Sequence, residues 1–480
     1  MTAPIVLINP PRLRNVTKRP SYTSEPHLGL GYVAAVLRAA GFSVRFIDGD
    51  AQGYSAERAA EEALRDDPLY IGLTAPTALV KSAAAVAREI KRRDPQRPVV
   101  LGGYHATVLP EDSLREFPAF DCAVFGEGEE TAVALARAFQ NQTGLRGIEG
   151  VCFRDGDGIV ANPPRARLAD LDALPLPAWD LFPLHAYQAH YRTDRGVIEL
   201  PVNTGRGCVG RCKFCARVTG GALRRRSAAN ILAEVRDDVE RHGAGAIVFM
   251  DESFAQDAAL VEQVCRGMID QGLHRRIYWL CQTRIDSVSR DGLRLMAAAG
   301  CRHVSFGVES GDPELLARVS KGIDPDRIRR AVRDAKDAGI LVDNFFIIGL
   351  PGETKATVRR TIRFAVELDS DFANFFILVP YPGTEVFEMA RRGEGGLHLL
   401  TCDWDLYGIQ MGRALELTGL SRSRLERLQF RAYLRFYLRP SKLRNMLRMV
   451  NLKVLPVYLW NLLTGWFRRG AAPEAVDARR

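Results

Sequence analysis

A chain of 480 residues, 26% charged and 47% apolar, is long enough to bury a large core, and this composition excludes a disordered or collagen-like protein. Nine cysteines, only three of them clustered, do not make a small disulfide-stapled scaffold, and "MTAPIVLINPP" has no basic stretch leading into an apolar one, so a reducing, cytoplasmic location is expected. The formal charge of +9 sits in one place: residues 431–470 hold nine Lys or Arg and no Asp or Glu, so any basic-surface argument concerns that tail.

In chain order, "IVLIN" (5–9), "SVRFID" (43–48), "YIGLT" (70–74), "PVVLGG" (98–103) and "CAVFGEGE" (122–129) read as strands. Between them "GLGYVAAVLRAAG" and "ALVKSAAAVAREIKRR" carry apolar residues at helical spacing, with basic residues toward their C-terminal ends. This alternation predicts a mostly parallel sheet covered by helices, a Rossmann-like α/β domain over residues 1–150 whose ligand sits beyond the C-terminal strand ends. A proline-rich linker follows over 151–194.

A second α/β series occupies 195–390. "VIELPVNTG" (197–205) supplies a first strand, and "AIVFMDESF" (246–254), "IYWLCQTRID" (277–286), "HVSFGVES" (303–310), "LVDNFFIIGLPGE" (341–353) and "FANFFILVPYPGTE" (372–385) supply five more. Helical stretches at 226–241, 289–299, 324–338 and 355–368 separate them. Such a series suits a partial β/α barrel with its chemistry on the C-terminal strand ends. Residues 391–480 form a basic, mostly helical C-terminal region.

The segment "GRGCVGRCKFCARV" (205–218) places Cys208, Cys212 and Cys215 within eight positions. Three thiolates at this spacing can wrap one face of a metal-sulfur cluster and leave one iron available to another ligand. Structural zinc normally takes four protein ligands, and the other six cysteines are scattered; zinc with a remote fourth ligand and three buried free thiols are the alternatives. Gly205, Gly207 and Gly210 permit a tight loop with N–H groups turned toward the sulfurs.

The C-x3-C-x2-C pattern, with Phe214 before Cys215, resembles the signature of the radical S-adenosylmethionine (SAM) superfamily. The series "PHLGLGYVAAVLRAAGFSVRFIDGD", "YIGLTAPT", "LGGYHATVLPED" and "AVFGEGEET" resembles the cobalamin-binding domain fused to the cobalamin-dependent class of these enzymes, so the resemblance covers roughly residues 1–390. It implies three cofactors: a 4Fe-4S cluster on the three cysteines, SAM on the open iron, and cobalamin in the first domain. It places polar contacts to the methionine end of SAM at Asp251, Glu252 and Ser253, and puts Arg284 and Glu309 at later strand ends, where they can bind the methionine carboxylate or ribose hydroxyls. "GLPGET" (349–354) resembles the adenine-side turn and "PYPGTE" (380–385) the last barrel loop.

In the first domain Gly102, Gly103, Gly126 and Gly128 would let backbone approach a macrocycle or its tail. Thr74, Thr77 and Thr107 offer hydroxyls, and Glu127 and Glu129 can hold loop N–H groups or the nucleotide tail. No Asp-x-His-x-x-Gly loop is present; His105 in "GGYHAT" is the nearest imidazole, and base-off cobalamin without a histidine below the cobalt is expected.

The resemblance implies transfer of a methyl group from methylcobalamin to an unactivated substrate carbon radical, with an external electron donor. Cyclisation or rearrangement without net methyl transfer, methylation of phosphorus, and a non-enzymatic cobalamin-binding protein are the alternatives. The substrate is expected to be a small or lipid-like molecule walled by 180–204, 217–225 and 381–420, where Asp403, Trp404 and Tyr407 can approach the cavity. In residues 427–470 Phe430, Leu434, Tyr437 and Leu438 recur at helical spacing beside Arg431, Arg435 and Arg439. That segment can pack on the barrel or make peripheral contact with an anionic membrane; it is too short to span one, and no nucleic acid is expected.

Overall fold

The computed structural model describes residues 3–12, 25–187, 194, 196–408 and 412–442. The first sheet contains β1 (Ile5–Asn9), β2 (Val44–Asp48), β3 (Tyr70–Thr74), β4 (Val99–Gly102), β5 (Cys122–Val124), β6 (Val151–Asp155) and β7 (Gly158–Ala161) in the order β2-β1-β3-β4-β5-β6-β7. The first five are parallel. Every residue of β3 is buried, as in a strand covered on both faces. The helices Leu28–Ala39, Ala56–Leu64, Val80–Arg93 and Glu129–Gln140 cover it. Ser55 accepts the Arg58 N–H to start the second, and Lys91, Arg92 and Arg93 lie against the negative end of the third. The order reverses at β1/β3, the crevice where doubly wound sheets bind ligands.

The sheet runs past the expected boundary at residue 150. β6 and β7 form an antiparallel hairpin closed by Gly156-Asp157, which extends the sheet where a linker was expected. The remaining linker packs across the domains: Trp179 is buried, and its ring lies where a Cβ on Gly31 would collide with it.

The second sheet is the expected partial barrel. β8 (Ile198–Val202) is followed by a small hairpin, β9 (Gly205–Arg206) and β10 (Arg224–Arg225). Then come β11 (Ala244–Phe249), β12 (Tyr278–Thr283), β13 (Cys301–Glu309), β14 (Leu341–Ile348) and β15 (Phe372–Ile377), all parallel in the order β15-β14-β13-β12-β11-β8. Alternation sorts the side chains. Val304, Phe306, Val342, Phe346 and Phe375 join the helix-facing core, whereas Leu280 and Phe372, with Val248, Tyr278 and Leu341, form a separate apolar floor inside the barrel.

Six strands leave β15 as an open edge, and the helix Arg422–Tyr437 seals it. The Tyr437 hydroxyl bonds both the N–H and the C=O of Ala373, the Tyr433 hydroxyl accepts the Phe375 N–H, and the Gln429 amide donates to the Phe375 carbonyl. Four residues of helix rise about 6 Å and two residues of strand about 6.6 Å, so side chains at 437 and 433 keep step with Ala373 and Phe375, and Gln429, one turn away, takes the other backbone group of Phe375. Leu425, Leu428, Ala432 and Phe436 form the buried face beside them. The expected apolar stripe was misphased: Leu434 is 38% and Leu438 68% exposed. Apolar spacing alone did not reveal that two tyrosines serve as hydrogen-bonding groups. Residues 443–470 of the basic segment lie outside the described residues.

Candidate active site

The three cysteines follow β9 at the C-terminal mouth of the barrel. Gly207, at φ +99°, turns the chain into the loop, and its missing side chain leaves room for the Ala222 carbonyl. Cys208 Sγ accepts from the Gly210 N–H at 3.4 Å and the Gln256 amide at 3.1 Å, and the Arg284 guanidinium stands 3.6 Å from Cys212 Sγ. Burial pushes the Cys212 and Cys215 thiols up, while Lys321 and Arg284 pull Cys212 back toward the thiolate. Among the described residues no His, Cys, Asp or Glu trio converges on a single metal ion. In a four-iron cube each thiolate binds a different iron, and three thiols ringed by N–H donors and cations fit such an anionic cluster.

The expected SAM-binding residues brace this loop. Glu252 accepts the Gly207 N–H at 3.3 Å and bonds the Thr219 hydroxyl, holding the loop on both sides of the cysteines. Asp251 is buried and accepts from the Thr204 hydroxyl at 2.6 Å and the Thr204 N–H at 3.1 Å; burial raises its carboxyl to about 6. Ser253 bonds Thr283 and accepts the Arg284 N–H at 3.0 Å, joining two strand ends. Asp286 grips Arg284 with both oxygens, at 2.9 and 2.7 Å, and aims its remaining nitrogen at Cys212. Glu309, at φ +64° beside a bulge in β13, pairs with buried Lys321 at 2.7 Å. Sequence reasoning missed Lys321, which lies in no motif, twelve positions beyond Glu309.

In the first domain Gly103 adopts φ +89°, and an added Cβ would lie 2.6 Å from Thr74 Oγ1, so the β4 turn is closed to any side chain. Gly102 ends β4, Thr107 Oγ1 accepts the Gly126 N–H at 3.2 Å, and Gly128 opens the helix Glu129–Gln140. Thr74, Thr107, Gly102, Gly103, Gly126 and Gly128 therefore gather on neighbouring strand ends.

Four of the expected residues, His105, Thr77, Glu127 and Glu129, have partners within the protein. His105 is buried, 3.3 Å from the Thr77 hydroxyl and edge-on to Trp404, and burial lowers its pKa to about 4. Its ring and the Thr77 hydroxyl are thus engaged inside the domain. Glu127 accepts the Leu168 N–H, as expected of a loop holder, but its main partners are Arg224, at 2.6 and 2.9 Å, and Arg206; Glu129 also binds Arg206. These carboxylates tie the first domain to the hairpin that carries the cysteine loop. Cationic partners from the second domain thus engage both carboxylates. Trp404 and Tyr407 are likewise packed into the core of the first domain, and Asp403 pairs with Lys81 at 2.5 Å, so this trio caps the domain junction.

Glycine-turned strand ends in one domain, tied by Glu127 and Glu129 to the hairpin that carries a three-thiol loop in the next, mark a radical SAM enzyme with a cobalamin-binding domain. Sequence profiles agree: the radical SAM superfamily matches residues 202–365 and the B12 binding domain residues 15–136. The chain is 34% identical over 441 residues to an uncharacterized methyltransferase of Pyrococcus horikoshii, covering 92% of this chain and 93% of that protein. It is 30% identical to the anaerobic magnesium-protoporphyrin IX monomethyl ester cyclase of Cereibacter sphaeroides, over 77% of this chain and 61% of that one. Among solved structures, the radical SAM methyltransferase TsrM from Kitasatospora setae, with cobalamin and a 4Fe-4S cluster bound, superposes with a TM-score of 0.68 at 22% identity, covering 89% of this chain and 82% of that one. The protein belongs to the cobalamin-dependent radical SAM family, and its cofactors are a 4Fe-4S cluster, SAM and cobalamin. No helix among the described residues is long and apolar enough to cross a membrane.

Proposed function

We propose that the protein is a methyltransferase acting on an unactivated carbon of a small molecule. The observation that carries this reading is the bracing of two sites on one crevice: Glu127 and Glu129 hold Arg206 and Arg224, while the Tyr104 hydroxyl donates to the Pro382 carbonyl at 2.8 Å. When bound, the cluster and SAM supply a hydrogen-abstracting radical and cobalamin supplies the methyl group. The chain's part is positional. Cys208, Cys212 and Cys215 hold the cluster, Arg284 stabilises its sulfur charge, Glu252 and Asp251 fix the loop, and the glycine turns at 102, 103 and 126 admit the corrin.

The methyltransferase relative covers nearly the full length of both chains, which supports methyl transfer; the cyclase relative keeps ring closure as the second reading. Anaerobic reconstitution with iron, sulfide and cobalamin, followed by SAM, a chemical reductant and candidate acceptors, tests this. Formation of 5'-deoxyadenosine and S-adenosylhomocysteine together with a product in which one methyl group replaces the abstracted hydrogen, a net gain of CH2, is expected. Acceptor turnover with 5'-deoxyadenosine alone would replace methyl transfer by cyclisation or rearrangement.

A further inference from the structure

The inner face of the barrel is graded. Along β12 it reads Tyr278, Leu280, Gln282 and then Arg284, from the apolar floor to the guanidinium at Cys212. Gln282 pairs in register with Ser305 on β13, and Ser305 with Asp343 on β14. Asn374 on β15 closes the row by donating to Asp343 Oδ2 at 2.8 Å. In register Asp343 meets the floor residue Phe372 and Asn374 meets Phe345, so the four polar side chains line the upper edge of the floor on adjacent strands, with Gln282 about 7 Å, one strand repeat, below Arg284.

None of the four side chains is Lys or Arg, and the cations one step higher are already paired, Arg284 with Asp286 and Lys321 with Glu309, so a carboxylate or phosphate at this depth would meet no free counter-charge. Asp343 is 5% exposed and its Oδ1 has no partner among the described residues. Burial raises its carboxyl to about 8, so at neutral pH it holds its proton and offers an O–H beside the Asn374 amide. A buried polar atom without a partner is costly unless something bonds it. Phe345, level with Asn374, meets Phe376 edge to face at 5.7 Å, and Met250, one residue past β11, is 46% exposed. Gln282 is exposed too, so the space between row and cluster opens to solvent; its amide nitrogen donates to the Asp251 carbonyl at 3.1 Å, which leaves its oxygen as the group it offers a ligand.

We infer that Gln282, Ser305, Asp343 and Asn374 bind an uncharged hydrogen-bonding group, a hydroxyl or primary amide, on an acceptor whose apolar body lies against Phe345, Phe376 and Met250. This rests on the reading of the barrel as the place where a small molecule reacts, and it adds the class of that molecule. It excludes acceptors held by a carboxylate, phosphate or ammonium at this depth.

The test uses the full-length, reconstituted holoenzyme and a bacterial small-molecule extract split by ion exchange into neutral, anionic and cationic pools. Each pool is added with SAM labelled on its methyl group, and both 5'-deoxyadenosine and labelled product are measured. Expected is at least tenfold stimulation of 5'-deoxyadenosine formation by the neutral pool alone, lost in Asp343→Leu and kept within threefold in the near-isosteric Asp343→Asn. Stimulation confined to the anionic or cationic pool overturns the inference, as does loss in Asp343→Asn equal to that in Asp343→Leu. Loss of SAM retention by Asp343→Leu in equilibrium dialysis would assign the row to the cosubstrate and also overturn it. Neutral-pool stimulation without labelled product keeps the inference and removes methyl transfer, so the two readings fail separately.

Discussion

The two cofactor sites are built by opposite means. Around the cysteine loop, side chains do the holding: Glu252, Gln256 and Arg284 reach the loop or its sulfurs from two strand ends, and Asp286 grips Arg284 from behind. Around the crevice of the first domain the construction is subtractive, with Gly103 at positive φ against Thr74 and Gly126 held by a single threonine hydroxyl. A cluster needs donors of fixed chemistry, whereas a large preformed macrocycle needs room and backbone. Failure at one site should therefore leave the other loaded.

The largest expected break is Cys212→Ala. Anaerobically reconstituted variant should fall from about four irons per chain to less than one and lose 5'-deoxyadenosine formation, while still retaining cobalamin by its visible absorbance. Iron analysis and spectra on one sample check both halves.

Next is Arg206→Ala, which cuts the tie between the sites. It leaves Glu129 and part of Glu127 without their cation; all three side chains are at most 12% exposed. Breaking a buried pair from one side costs about 3 kcal/mol or more. The denaturant midpoint should drop and the transition split in two, with both cofactors still binding at low denaturant.

Gly103→Val tests the subtractive side. A β-branched residue at φ +89° is strained by about 1–3 kcal/mol and meets Thr74. Cobalamin retention on gel filtration should fall at least tenfold with iron content unchanged, the mirror image of Cys212→Ala.

The smallest effect concerns pH. The Asp251 carboxyl is raised to about 6 in the folded chain, whereas its ordinary value is 3.8. The folded state therefore binds more protons between those values. This contribution to stability is complete below about pH 4, declines as pH rises to about 6, and is constant above. Asp251→Asn should flatten that part of the melting-temperature profile, and nothing at the glycine turns should do so.

This contrast also explains what the sequence revealed. Cys208, Cys212 and Cys215 stood out because cluster-ligand chemistry fixes residue type at short spacing; Arg284 stood out as a charge at a strand end, but its place between Asp286 and Cys212 did not. Both sheets were legible through alternating apolar runs. Lys321 was not, since its pairing with Glu309 depends on how a short helix folds back over β13. Glu127 and Glu129 were found, but their partners Arg206 and Arg224 lie far along the chain, and only the assembled domains reveal them. The β6–β7 hairpin did carry a signal, the Gly-Asp turn inside "RDGDGIV", which marks two paired strands. Gln282, Ser305 and Asp343 are brought level by the register of three strands, and Asn374 on a fourth joins them through its hydrogen bond to Asp343, none of which local sequence shows.

The helix that seals β15 sets a limit on how this chain can be trimmed. Ending the chain before Gln429 would strip three side chains from the backbone of Ala373 and Phe375 and expose a ready template for sheet-to-sheet stacking. A shortened protein would then be lost to aggregation during production while every catalytic group remained in its sequence, and that loss would be mistaken for a defect in chemistry.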